Sequence, residues 1–197
     1  MPRRLLPLLA AVALVLVAAT GCASEVSPAA TVGGHKISDS DLLDDVGEWA
    51  HNPAAFDPDH LKGLNPGTYP MRLVDVILQQ RIELDLHAQE FRRRKLRLTD
   101  EIRQAALAQL FQGDLSVAQQ ALRGFSTGYA KRYVDDIGEQ LAVQDALGQA
   151  GYLTWRTRAY AKADISVSPR YGHWDAAQQT VVAPAGPTQP AGLRVPL

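Results

Sequence analysis

Residues 70–95, PMRLVDVILQQRIELDLHAQEFRRRK, contain no helix breaker after the opening proline and carry apolar side chains on two overlapping stripes. Val74, Ile77, Leu78 and Ile82 recur on one side of a helical wheel, and Leu73, Val76, Leu84 and Phe91 on the other. An apolar arc that wide has to be covered from more than one direction. The segment therefore predicts a central helix of about 25 residues, about 38 Å long at 1.5 Å per residue, with the rest of the chain folded around it. Pro70 suits a first helical position. Arg92, Arg93, Arg94 and Lys95 fall at the carboxyl end, where cations complement the helix dipole and are expected to stay solvated. Contact with anionic lipid is the other reading of that run.

The elements around this helix are shorter. Thr31-Val32 leads into Gly33-Gly34, after which His35-Lys36-Ile37 resumes extended chain, a short strand with a glycine turn. Ser38 with Asp41 opens a capped helix that carries Leu42, Val46 and Trp49 on one face, with Leu43 and Ala50 beside them, and stops at Asn52-Pro53. Residues 52–69 are interrupted by Pro53, Pro58, Gly63, Pro66 and Gly67, too long a stretch for an idle connector. Thr99 caps a helix with Ile102, Ala106 and Leu110 inside it, ended by Gly113; a short helix around Val117 to Leu122 closes at Gly124. Ser126 or Thr127 starts another, with Tyr129, Tyr133, Ile137 and Leu141 at every fourth position. Gly148 and Gly151 interrupt that helix before YLTWRTRAYAKA resumes the pattern. Asp164 to Ser168 alternates as a strand with Ile165 and Val167 on one face, stopped by Pro169. The order is strand, five or six helices, strand, which makes the fold class mainly α.

The amino terminus is organised differently. Arg3 and Arg4 precede an apolar run from Leu5 to Ala19, and the single cysteine, Cys22, follows Ala19-Thr20-Gly21. Residues 1–21 read as a secretory signal peptide, too short for a comfortable membrane span. The small residues before Cys22 resemble the lipobox of bacterial lipoproteins, in which the cysteine thiol takes a diacylglyceryl group and the new amino terminus is acylated as well. Ala19 stands where that consensus prefers leucine. The resemblance implies cleavage before Cys22, lipid attachment at Cys22, a tether over 22–28, and a location on the extracytoplasmic face of the cell membrane. Two or more acyl chains hold a protein stably at a bilayer. No intrachain disulfide is possible with one cysteine, so the exported fold depends on its core.

The formal net charge is −1, which gives no footprint for nucleic acid. From Ala176 to Leu197 the chain is rich in Ala, Pro, Gly and Gln with almost no charge, and a disordered tail is expected there. The five histidines, His35, His51, His60, His87 and His173, show no metal-ligand spacing, so no metal and no cofactor is expected. No nucleophile elbow, phosphate loop or HExxH string occurs. Asp44-Asp45 and Asp135-Asp136 are neighbours in helices, about 100° apart, and make no acid–base pair on one face. Trp49, Phe56 and Tyr69 flank the long connector, while Trp155, Tyr160, Tyr171 and Trp174 are expected to cluster near the closing strand. Most of these belong in a core. Trp49, Phe56, Tyr69, Trp155 and Trp174 are the candidates for an exposed polypeptide-binding groove.

Three stretches resemble one family. AATVGGHKISDSDLLDDV is similar to the opening of the SurA and PrsA foldases, LRLTDEIRQA to the joint before the next helix of their amino-terminal module, and YAKADISVSPRYGHWD to the strand and aromatic segment that return to it. The resemblance spans 29–175. It implies a helical chaperone module closed by a small sheet in which the opening and closing strands pair. The parvulin isomerase domain that this family carries before the returning strand has no room here, since Lys162 runs directly into Asp164 and Ile165. The resemblance thus implies a membrane-tethered chaperone that binds unfolded, extended or exported polypeptides without isomerase chemistry. A structural accessory lipoprotein holding one defined envelope partner is the alternative.

Overall fold

The computed structural model describes residues 28–52, 68–110, 115–184 and 193–194. Cys22, Phe56, the signal and tether, and most of the long connector lie outside the described residues. Helix accounts for 66% of the structure, so the fold is mainly α, and among the described residues three small antiparallel sheets are attached to it.

Strands β1 (Ala30–Val32) and β2 (His35–Ile37) form a hairpin whose two-residue turn, Gly33 (φ 56°) and Gly34 (φ 84°), takes the left-handed backbone that only glycine adopts cheaply. Helix α1 (Asp39–His51) starts from Ser38, whose hydroxyl accepts the Asp41 N–H at 3.0 Å, and ends at Asn52. After β3 (Thr68–Tyr69) comes the central helix α2 (Met71–Arg93). Pro70 occupies its cap rather than its first helical position. Helices α3 (Asp100–Leu110) and α4 (Leu115–Leu122) lead to the longest element, α5 (Thr127–Lys162), capped by the Ser126 hydroxyl on the Tyr129 N–H at 3.3 Å. Only two residues then separate α5 from β4 (Ile165–Val167).

Strand β4 returns to β1, pairing Ala30 with Val167, Thr31 with Ser166 and Val32 with Ile165, in the order β2-β1-β4. The opening and closing strands therefore do pair, although most of the chain separates them. Under this sheet lies the main core, where Leu42 and Val46 of α1 meet Val74, Ile77, Leu78 and Ile82 of α2, with Tyr160 and Tyr171 closing it. Each such aliphatic side chain contributes about 1.5–3 kcal/mol by leaving water. A second cluster joins Leu84 of α2 to Phe125, Tyr129, Tyr133 and Ile137, with Ala106 of α3. A third gathers Phe91, Ala142 and Val143. Helix α2 touches all three, as its wide apolar arc requires, although Val76 faces solvent at 56% exposure.

Three further expectations need correction. Gly148 breaks the helical path of α5 with φ 63° and ψ 164°, whereas Gly151 stays helical, because only the first lacks helical torsions. Trp155 and Trp174 do not share a cluster: Trp155 packs in the third group, and Trp174 packs on the main core. The disordered tail expected from Ala176 does not hold over 176–184. There β6 (Thr180–Val182) pairs with β5 (His173–Asp175), Val181 packs against the main core, and the Gln79 amide joins the Gln179 carbonyl (3.1 Å) and the Val181 N–H (2.8 Å). A side chain on α2 thus supplies the backbone partners that the tail's composition does not advertise. Further on, β7 (Leu193–Arg194) pairs with β3.

Candidate functional site

The cleft that holds one of the expected groove residues opens between α1, β3 and the first turn of α5. It has a volume of about 620 Å³, and its walls include Leu43, Asp44 and His51 of α1, Tyr69 of β3, and Tyr129 and Arg132 of α5. Helical spacing puts Asp44, Gly47, Glu48 and His51 along the outer face of α1. Glu48 ties this face to α5, accepting the Ser126 N–H at 2.8 Å and the Ser126 hydroxyl through its other oxygen. The serine is therefore engaged in capping on both sides. His51 bonds the Gly47 carbonyl through Nδ1 at 2.6 Å and presents its ring edge-on to Tyr69, 6.5 Å between centroids. Burial, with the charge of Asp44 next, pushes the Tyr69 phenol up.

Beneath this wall lies an aromatic group. Trp49 donates from Nε1 to the Tyr129 hydroxyl at 2.5 Å and packs on Phe125 (5.5 Å) and edge-on to Tyr133 (5.8 Å). Tyr129 and Tyr133 stack at 6.0 Å, one helical turn apart. Gln80 of α2 donates to the Tyr133 hydroxyl at 3.1 Å, so these buried phenols have partners.

Behind the aromatics stands a charged network. Asp45, 1% exposed, meets Arg132 through one oxygen and Arg81 Nε through the other at 3.1 Å; the second contact is an ion pair without hydrogen-bond alignment. Arg81 also faces Asp136 at 3.5 Å, and the Arg132 guanidinium lies over the Tyr129 ring at 5.0 Å. Burial raises the Asp45 carboxyl despite both arginines, and burial pushes Asp136 up to about 6. The network locks α1, α2 and α5 in one register and sets one wall of the cleft.

Of the expected groove residues, the structure places Tyr69 on the cleft and Trp49 beneath it. Trp155 lies near the far end of α5 against His87 (5.0 Å), and Trp174 stacks on Tyr160 (5.9 Å). Sequence reasoning missed Tyr129 as a wall residue and missed the Asp45, Arg81, Arg132 and Asp136 network. A signal existed: Asp45 interrupts the stripe Leu42-Val46-Trp49, Arg81 sits between Leu78 and Ile82, and Asp136 between Tyr133 and Ile137. Charges placed inside apolar stripes have to find one another.

Among the described residues no group of three or more His, Cys, Asp or Glu side chains is placed to hold a metal ion, and no helix is long and apolar enough to cross a membrane. The cleft offers aromatic surface and charges of both signs, a chemistry for reversible, non-covalent binding. No protein-family model matches the chain, and no curated protein and no solved structure matches it.

Proposed function

We propose that the chain is an extracytoplasmic lipoprotein, anchored through Cys22, that binds unfolded or extended polypeptides transiently and carries out no isomerase chemistry. The observation that carries this reading is topological. Strand β4 follows α5 after two residues and pairs with β1, so the helical module closes on itself as the resemblance to the SurA and PrsA foldases implies, with no domain inserted before the closing strand. The Tyr69–Tyr129 cleft, flanked by Asp44 and Arg132, supports it as a place where an apolar client side chain leaves water between aromatic walls. Binding of this kind needs neither nucleotide nor metal.

The test is an aggregation assay with several unrelated unfolded proteins. A chaperone of this type suppresses aggregation of most of them at modest stoichiometry, and the cleft-filling variant Gly47→Phe weakens that effect. Suppression of none refutes the reading and leaves the dedicated envelope-partner alternative. A proline-isomerisation assay is expected to stay at background, and saturable catalysis would overturn the absence of isomerase chemistry.

A further inference from the structure

At the carboxyl end of α2, five cations fall within six residues: Arg92, Arg93, Arg94, Lys95 and Arg97, all of them exposed. The whole chain has a net charge of −1, so this end departs sharply from the average. One buried carboxylate, Glu90, takes two of the five. It accepts Arg93 Nε at 2.7 Å and Nη2 at 2.6 Å, and Arg94 Nε at 2.5 Å. One negative charge between two guanidiniums leaves an excess and fixes where those two point. The other acids near this end are Asp85, Asp136 and Glu139, which line one pocket with Arg92, and Asp100 and Glu101 in the first turn of α3. Asp100 is engaged by Arg103 at 2.9 Å, and Glu101 by the Thr99 hydroxyl. Lys95 takes φ 56° and turns the chain off the helix axis into the link that carries the exposed Arg97, with Leu96 and Leu98 partly buried against the third cluster.

Where this end lies matters as much as its charge. Gln89, one helical turn before Arg93, donates to the Val32 carbonyl at 2.9 Å, and Asp85 meets His35 at 2.7 Å. The turn of the β1–β2 hairpin therefore sits beside the cationic end of α2. Strand β1 reaches that turn from Ala29, about 10 Å away at the usual rise per residue. Residues 22–28 span at most about 24 Å when extended. A bilayer that holds Cys22 is thus within reach of the cations.

We propose that the exposed cationic end of α2 is a membrane-facing surface that binds anionic phospholipid headgroups and sets how the anchored protein stands on the bilayer. The proposal rests on the lipid-anchor reading and adds an orientation to it. Acyl chains fix distance from the membrane but leave rotation free, whereas basic side chains within a Debye length of an anionic surface are attracted to it and remove that freedom.

The experiment uses the mature lipidated protein in proteoliposomes, either pure phosphatidylcholine or with about one-third phosphatidylglycerol. Tryptic cleavage after Lys95 and Arg97 in the α2–α3 link is compared with cleavage after Arg123 in the α4–α5 link. Cleavage in the first link is expected to slow about fivefold or more on the anionic vesicles, to recover at about 0.5 M salt, and to be unchanged after Arg123. The triple variant Arg92→Gln, Arg94→Gln, Arg97→Gln keeps Lys95 as a cleavage site and Arg93 on Glu90, and is expected to lose the difference between the two vesicles. Equal cleavage on both vesicles overturns the proposal. So does protection on pure phosphatidylcholine by inorganic phosphate at matched ionic strength, which would mark an ion site instead. Failure to float with the phosphatidylcholine vesicles would instead refute the lipid anchor, separately from the surface.

Discussion

Both halves of α5, divided at Gly148, pack apolar side chains against α2, but the polar contacts that accompany that packing differ. The first half, 127–147, uses charge: Arg132 and Asp136 meet Asp45 of α1 and Arg81 of α2. The second half, 149–162, uses a neutral ring system. His87 of α2, 1% exposed, donates from Nδ1 to the Glu83 carbonyl at 2.7 Å, which leaves Nε2 to accept the Tyr152 hydroxyl at 2.9 Å, with Trp155 packed on the ring at 5.0 Å. Arg156 and Glu83, 3.6 Å apart and partly exposed, flank this group. Buried ion pairs are poor sources of net stability, because desolvation offsets most of the attraction, but they penalise wrong registers heavily. The first half accordingly adds to its packing an ionic network that fixes how three helices align, while the second adds two hydrogen bonds through His87 and a partly exposed ion pair.

The hardest way to break this arrangement is to remove what ends the second half. Truncation after Ala163 deletes β4, leaves the outer edge of β1 unpaired and uncovers the main core where Val167 and Tyr171 had closed it. A loss of about 5 kcal/mol or more is expected, a large part of the usual 5–15 kcal/mol total, read by denaturant unfolding. A chain that melts like the full-length protein would show that the closing strand carries no stability. Next comes the first half itself. Arg81→Met leaves Asp45 with Arg132 alone and takes the nearest cation from Asp136, at a cost of about 3 kcal/mol. The double variant Asp45→Leu, Arg81→Met is expected to recover the part of that loss that comes from Asp45, because Arg132 is 49% exposed and needs no buried partner, while Asp136 stays without Arg81. If the double variant is worse than the single one, the network is a net source of stability and the contrast between the halves fails.

A smaller break comes at the hairpin that covers α2. Truncation after Asp175 removes β6, the partly buried Val181 and both backbone partners of Gln79. The expected cost is about 2 kcal/mol from lost burial and hydrogen bonding, measured in the same unfolding experiment. The change Gln79→Leu in the full chain should account for about half of it.

How much of this was legible in the sequence depended on whether the cause was local. The Ser38 cap, the Gly33-Gly34 turn and the wide apolar arc of α2 each act within a few residues, and each reads directly, while the cap of α5 reads as Ser126 or Thr127 and the structure gives it to Ser126. The pairing of β1 with β4 is non-local and was reached only through the resemblance of the two segments to one family. The β5–β6 hairpin was not reached, because Thr180–Val182 is three residues long and is held by Gln79, about a hundred positions away. The cleft was half legible. Tyr69 flanks a long connector and invites attention, whereas Tyr129 sits in a regular stripe with Tyr133 and Ile137 and looks like core, which on its other side it is. Asp45 and Arg81 were passed over because each was read on its own helix, and their meaning lies in the contact between helices.

The finest test sets the two halves against each other by pH. Burial pushes Asp136 from 3.8 up to about 6, where it faces Arg81, Arg132, Asp45 and Asp135. A carboxyl raised on folding contributes stability that is fully present below about pH 4 and lost as pH rises through about 6. Burial lowers His87 below 6.5, where it faces Glu83, Arg156 and the Tyr152 hydroxyl. A histidine lowered on folding contributes stability that is present above pH 6.5 and lost as pH falls below it. Acidification from about pH 7 to 5 therefore strengthens the first half of α5 and loosens the second. Hydrogen exchange, corrected for its intrinsic pH dependence, should show protection over 149–162 falling about tenfold relative to 127–147. His87→Phe keeps a ring in the cluster and should abolish the loss over 149–162, while Asp136→Asn should reduce the gain over 127–147, leaving the part that comes from the raised Asp45 and Glu139 carboxyls, and raise stability near pH 7 by about 1 kcal/mol. Parallel change in both halves across that range would mean that α5 responds as one unit, with the break at Gly148 separating nothing.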